Sequence, residues 1–161
     1  MTQSAKFWID NLQLEQHPEG AWFKEIYRSE QLVNTPAGER NAGTSIYFLL
    51  EGNDFSAFHR IKSDEIWHYY EGTSAIEILW IQNSELHSRL LGKNAEKGEC
   101  FQVVVPKDCW FAARLPANTG FALVGCTVAP GFHFDDFELA DATILQQFSE
   151  LTPILEPLIR K

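Results

Sequence analysis

His59-Arg60-Ile61-Lys62-Ser63-Asp64-Glu65-Ile66-Trp67-His68-Tyr69-Tyr70-Glu71-Gly72 is the stretch on which the fold turns. Successive side chains of a strand point to opposite faces. One face of the first half therefore carries His59 and Ile61, the other Phe58, Arg60 and Lys62. The two cations mark the second face as wet, apart from Phe58, which turns His59 inward. In the second half Glu65, Trp67, Tyr69 and Glu71 share one face, and Ile66, His68 and Tyr70 share the other. A tight Lys62-Ser63-Asp64 connection brings His59 and Glu65 close in space. Such a pair has three readings. It is an imidazole tuned by a carboxylate for acid–base work, or two ligands of a divalent metal, or a satisfied core contact with no chemistry.

The same period of two runs outward from this stretch in both directions. Trp22–Arg28, Gly43–Leu50, Ala57–Lys62, Glu65–Glu71, Ala75–Ile81, Leu86–Leu91, Phe101–Val105, Trp110–Leu115 and Phe121–Val128 all read as strands. Turn residues separate them, as in Thr35-Pro36-Ala37-Gly38, Glu51-Gly52-Asn53-Asp54 and Pro116-Ala117-Asn118-Thr119-Gly120. Many short strands at regular spacing predict an all-β sandwich or barrel. Helical spacing is confined to the flanks. Ser4 can cap a helix reaching Leu14, and His17-Pro18-Glu19-Gly20 turns the chain after it. The tail from Asp136 to Lys161 places Ile144, Leu145 and Phe148 on one face, with Thr152-Pro153 as a cap and first-turn pair. No linker or repeat divides residues 1–161, so a single domain is expected.

Composition narrows the partners. Of 161 residues 45 % are hydrophobic and 13 % aromatic, enough for a sizeable core. The net charge of −9 lacks the basic footprint that nucleic acids or anionic membranes require. No apolar run reaches membrane-span length, and the first residues lack the apolar core of a signal peptide. Cys100, Cys109 and Cys126 are odd in number and show no CxxC spacing, which predicts reduced thiols and a cytoplasmic protein.

The His59 stretch resembles the first motif of the cupin superfamily, G-x5-H-x-H-x(3,4)-E-x6-G. His59, Glu65 and Gly72 match it, with Ile61 in place of the second His. In the second motif Pro106 is kept, while Asp108 replaces the Gly and Phe111 the His. The chain resembles most the short one-domain cupins described as predicted sugar epimerases. It shares with them Glu25-x-Tyr27-Arg28-Ser29, Phe58-His59-Arg60-x-Lys62-Ser63-Asp64-Glu65-x-Trp67-His68, Trp110-Phe111-Ala112-Ala113-Arg114 and Ala129-Pro130-Gly131-Phe132. The resemblance implies a double-stranded β-helix, or jelly-roll barrel, and a homodimer.

Two of the four usual metal ligands are gone, so no metal or other cofactor is expected, with His59 and Glu65 the residual place for a divalent ion. The leading expectation is a metal-independent pocket for a small polar ligand, a sugar or nucleotide-sugar. There His59 removes a proton alpha to a carbonyl, Glu65 orients it and raises its pKa, and Tyr69 returns the proton. Trp67 and Phe111 are candidate aromatic walls. Gln102, polar in a run of valines, and Glu25 are candidate pocket groups, and Arg114, like Arg28, a candidate anion clamp. His17, His87 and His133 receive no role. The alternatives are a noncatalytic binding module and a metal-dependent cupin enzyme.

Overall fold

The computed structural model describes residues 3–17 and 20–161. Pro18 and Glu19, inside the expected first turn, lie outside the described residues. The chain runs through α1 (Ala5–Leu12), β1 (Glu15–Gln16), β2 (Trp22–Arg28), β3 (Leu32–Thr35), β4 (Gly38–Asn41), β5 (Thr44–Glu51), β6 (Phe55–Arg60) and β7 (Asp64–Gly72). It continues through β8 (Ile76–Gln82), β9 (Glu85–Leu91), β10 (Gln102–Val105), β11 (Trp110–Arg114), β12 (Phe121–Ala129), β13 (Glu138–Leu139), α2 (Thr143–Gln147) and α3 (Thr152–Leu155). Two sheets, β1-β2-β5-β12-β7-β10 and β13-β6-β11-β8-β9, face each other as a jelly-roll barrel, and β3-β4 forms a separate hairpin.

Strand alternation holds closely in β7. Glu65, Trp67 and Tyr69 are buried, while Ile66 and His68 are only half-buried and Tyr70 is exposed. The core between the sheets joins Trp67 and Tyr69 to Phe48, Ile78, Phe111 and Val124. A second cluster lies under α1, where Leu49, Phe121 and Leu123 cover Ala5 and Leu14. Ser4 caps that helix, its Oγ accepting from the Phe7 N–H at 3.1 Å.

The outer face of β6 is wet at Arg60, as expected, and apolar at Phe58. Phe58 is fully buried there with Leu79, Ile81 and Ala112, beneath Ile144, Leu155 and Leu158 of the tail. Burying one such ring contributes about 1.5–3 kcal/mol, so the tail is a third layer of core. Arg60 keeps its charge at the rim, donating to Glu138 at 2.7 Å and lying 4.4 Å over the Trp110 ring. The tail also becomes helical later than expected. Glu138–Leu139 pairs with β6 as a strand, and Thr152 opens α3 from inside the helix, without capping it.

The loop after β12 is held from outside the barrel. Arg40 of the β3-β4 hairpin donates through Nη2 and Nε to both oxygens of Asp136, at 2.7 and 2.8 Å. Both side chains are buried, and the fork geometry fixes orientation as well as distance. The pair pins the segment that carries Phe132 and Phe137. No helix is long and apolar enough to cross a membrane among the described residues.

Candidate functional site

A cavity of about 330 Å³ opens at one end of the barrel, and a bulge in β6 shapes its wall. His59 stands opposite Phe111 and Ser56 opposite Ala113, so β6 advances three residues while β11 advances two. Strict alternation would set Ser56 and His59 on opposite faces; the bulge turns both to the cavity. The His59 Nδ1 lies 2.7 Å from the Ala57 carbonyl. A carbonyl only accepts, so Nδ1 carries the proton and Nε2 keeps its lone pair. The ring is wedged between Phe111 at 4.1 Å and Phe137 at 5.3 Å. Burial pushes its pKa down to about 4, against the opposing pull of the Ala57 bond, so the imidazole is neutral at pH 7.

Glu65 sits at the start of β7, opposite Val105 of β10 and Val128 of β12. Burial pushes its carboxyl up to about 7, while the Trp67 indole and the Cys126 thiol beside it favour the ionised form. The indole N–H, though near, makes no hydrogen bond of proper geometry. The carboxyl in turn drives the buried Cys126 thiol upward, after burial itself. No hydrogen bond joins His59 to Glu65 among the described residues, and neither contributes to the other's pKa. The expected pairing, with Glu65 raising the His59 pKa, is therefore corrected. Both groups line one cavity, and the dry environment disfavours the charged form of each.

Six aromatic side chains line the wall: Phe23, Phe48, Phe55, Trp67, Phe132 and Phe137. At the mouth Arg28 donates through Nη2 and Nε to Glu25, at 2.6 and 3.3 Å. Its Nη1 reaches Asn41 Oδ1 at 2.9 Å and the Phe132 carbonyl at 3.0 Å. Arg28 is the one Lys or Arg lining the cavity among the described residues, and its donors are engaged. The buried Thr44 hydroxyl accepts from the Phe132 N–H at 2.9 Å and holds the aromatic loop in place.

Of the residues singled out from the sequence, His59, Glu65, Trp67 and Glu25 come together here. Phe111 is buried behind the His59 ring, outside the lining. Tyr69 shares the inner face but lies beyond the cavity, its hydroxyl donating to the Ser74 carbonyl at 3.0 Å. Burial, with Glu71 and Glu99, pushes that phenol up to about 12. Gln102 is exposed, opposite His68 on the outer face, because Val103 and Val105 take the inward positions of β10. Arg114 points outward to Glu77, its cross-strand neighbour, at 2.8 Å. Neither Gln102 nor Arg114 reaches the cavity.

His17, assigned nothing from sequence, lines the cavity and meets Phe23 edge to face at 5.1 Å, and burial lowers its pKa. Ser56, Thr44, Cys126 and the loop phenylalanines were also missed. Pro130-Gly131 is a turn signal that could have marked that loop; nothing in the sequence signals the bulge that delivers Ser56.

A divalent metal does not fit these residues. Ile61 and Phe111 stand where two ligands would be, which leaves His59 Nε2 and the Glu65 carboxyl, fewer than the three protein ligands a transition metal ordinarily takes. No group of three His, Cys, Asp or Glu has metal-holding geometry among the described residues.

Residues 6–140 match the family described as "Cupin superfamily (DUF985)". The uncharacterized protein YML079W of Saccharomyces cerevisiae is 31 % identical over 164 residues, covering 92 % of this chain and 79 % of that protein. A hypothetical protein from Leishmania major superposes with a TM-score of 0.92 at 31 % identity, covering 99 % of this chain and 100 % of that one. Protein SO0799 from Shewanella oneidensis gives a TM-score of 0.89 at 38 % identity, with 99 % of each chain covered.

Proposed function

The chain belongs to the cupin superfamily, in the family DUF985, and from that premise we propose that its cavity binds a small organic molecule that carries no negative charge. The carrying observation is an aromatic-walled cavity in which the polar groups left for a ligand are Ser56 Oγ, His59 Nε2 and the Glu65 carboxyl. Few, convergent polar groups in an apolar cleft are the usual make-up of a small-molecule site. A nucleotide-sugar fits it poorly, because a diphosphate needs cations and Arg28 is already paired. Saturation-transfer NMR with a fragment set tests the reading. Fragments bind the wild type and are lost on Ala21→Leu, which fills the lining; a fragment set that ignores the wild type refutes it.

One observation favours turnover as a second reading. A carboxyl near pH 7 is poised for proton transfer, whereas an imidazole near 4 is a weak base for a carbon acid. In an isomerase or epimerase built on this site Glu65 would carry the proton, without Tyr69. Solvent deuterium exchange into candidate sugars, retained in His59→Gln and lost in Glu65→Gln, tests it. The expected homodimer also stays a proposal. Ile26, Tyr27 and Val104 are exposed on the six-stranded sheet, and the mass of one chain by light scattering refutes it.

A further inference from the structure

We infer that the cavity selects a small organic ammonium, a cationic amine on an apolar body, with Glu65 as its counter-ion and the aromatic wall as its cage. This rests on the reading of the cavity as a ligand site and names the ligand's charge and chemistry.

Charge at the site points one way. The titratable and charged groups facing it are Cys126 from β12, His59 from β6, Glu25 and Arg28 from β2, and His17 from the chain just before β2. Glu25 and Arg28 satisfy each other at the mouth. His59 has spent its only N–H on the Ala57 carbonyl and shows the cavity a lone pair. Glu65 has a thiol and an indole for neighbours, and no cationic group hydrogen-bonds to it among the described residues. Burial disfavours the cationic form of both His17 and His59, so with these imidazoles neutral the inner cavity is neutral or negative.

Its polar groups also have a common sense. Ionised Glu65 and His59 Nε2 only accept, and Ser56 Oγ, which has no hydrogen-bond partner among the described residues, can accept. An ammonium group is donor-only, with three N–H bonds to place. Aromatic rings line the same cavity, and a ring face, with its negative quadrupole, attracts a cation and repels an anion. Phe48 and Trp67 meet edge to face at 5.4 Å and Phe132 and Phe137 at 6.3 Å, so the wall offers faces in crossed orientations. An alcohol of the same shape would fill the volume and leave the carboxylate without a counter-charge.

Isothermal titration of three matched probes tests this: 2-phenylethylammonium, the neutral 2-phenylethanol and the anionic 3-phenylpropionate. Near pH 8.5 the ammonium binds at least about tenfold tighter than the alcohol, and the propionate binds weakest. Between about pH 8.5 and 5.5 the ionised fraction of a group with a pKa of about 7 falls from about 97 % to about 3 %, so ammonium affinity drops about thirtyfold. The alcohol shows no such loss. Glu65→Gln abolishes the ammonium preference and its pH dependence and retains the alcohol, which also shows that the variant is folded. If Glu65→Gln fails to fold, the charge series and pH profile of the wild type still decide. Alcohol or propionate binding as tightly as ammonium near pH 8.5 overturns the inference, as does an ammonium affinity independent of pH. If other fragments bind and these three do not, this inference falls and the ligand site stands; if nothing binds, both fall.

Discussion

Replacing Glu65 by Gln should make the protein progressively more stable, relative to wild type, as the pH rises from about 4.5 to about 7. In the unfolded chain this carboxyl titrates near 4.5, and in the folded protein near 7, because burial penalises its ionised form. Between those values the folded state holds a proton that the unfolded state has released. Stability therefore falls with rising pH across the window. At about 1.4 kcal/mol per pH unit the loss totals about 3 kcal/mol. His59 works in the opposite direction. Its folded pKa of about 4 lies below the ordinary 6.5, so from 6.5 downward the unfolded state takes up a proton that the folded state refuses. That costs about 3 kcal/mol by pH 4. Between about 4.5 and 6.5 the two slopes nearly cancel in the wild type and show only in the single variants. Urea unfolding followed by tryptophan fluorescence across this range gives the stability difference of each variant from wild type, which removes the titration of the other carboxylates. For Glu65→Gln the difference grows by about 3 kcal/mol from pH 4.5 to 7; for His59→Gln it grows by about as much from 6.5 down to 4. Because neither group acts on the other's pKa, the double variant shows the sum of the two profiles. A Glu65→Gln difference flat to within about 0.5 kcal/mol would mean that the carboxyl is not held protonated, and would refute the account of the site.

Other parts of the structure give sharper mutational tests. Gly72→Ala places a Cβ against the Phe121 carbonyl and 2.8 Å from the Ala122 Cα, at a φ of +151°; strain against rigid backbone should cost at least about 2 kcal/mol by chemical denaturation. Leu155→Ala removes the fully buried side chain at the end of α3, and a loss of about 2–5 kcal/mol in the same assay is expected if the tail is core; a loss under about 1 kcal/mol would make it a loose cover. Asp136→Asn breaks the Arg40 fork, and should lower the melting temperature and raise hydrogen exchange in residues 130–137. Since Arg40 holds the Asp136 carboxyl below its ordinary value, that contribution is present above about pH 4 and fades as the pH falls through the lowered pKa. An unchanged exchange pattern in Asp136→Asn would show that the loop is held by other contacts.

How much of this could be read from the chain depends on the residue. Trp67, Tyr69 and the inward valines of β10 follow from alternation alone, because a pleated strand has no other way to place them. Gln102 and Arg114 were legible in principle. Each lies out of phase with its inward neighbours, and their polarity outweighed their position in the reading. Ser56 was not legible: one extra residue in β6 changes its face, and a bulge leaves no compositional mark. His17 is far from His59 along the chain and meets the cavity only because β2 runs beside β5.

By itself the sequence determined a β-barrel with helical flanks, and a buried His59 and Glu65 at its centre. Periodicity, turn residues and motif spacing are local properties, and they are enough for that. Tertiary structure alone decided the chemistry. It set the His59 Nδ1–H to donate to the Ala57 carbonyl, left Glu65 without a bond to His59, tied the Tyr69 hydroxyl to the Ser74 carbonyl and brought the Phe132 and Phe137 rings to the cavity wall. A pKa reflects the solvent a group has lost and the partners around it, and both are set by elements distant in sequence. The pocket expected to hold a charged His–Glu pair holds, once packed, a neutral imidazole and a buried carboxyl whose shifts both come from burial.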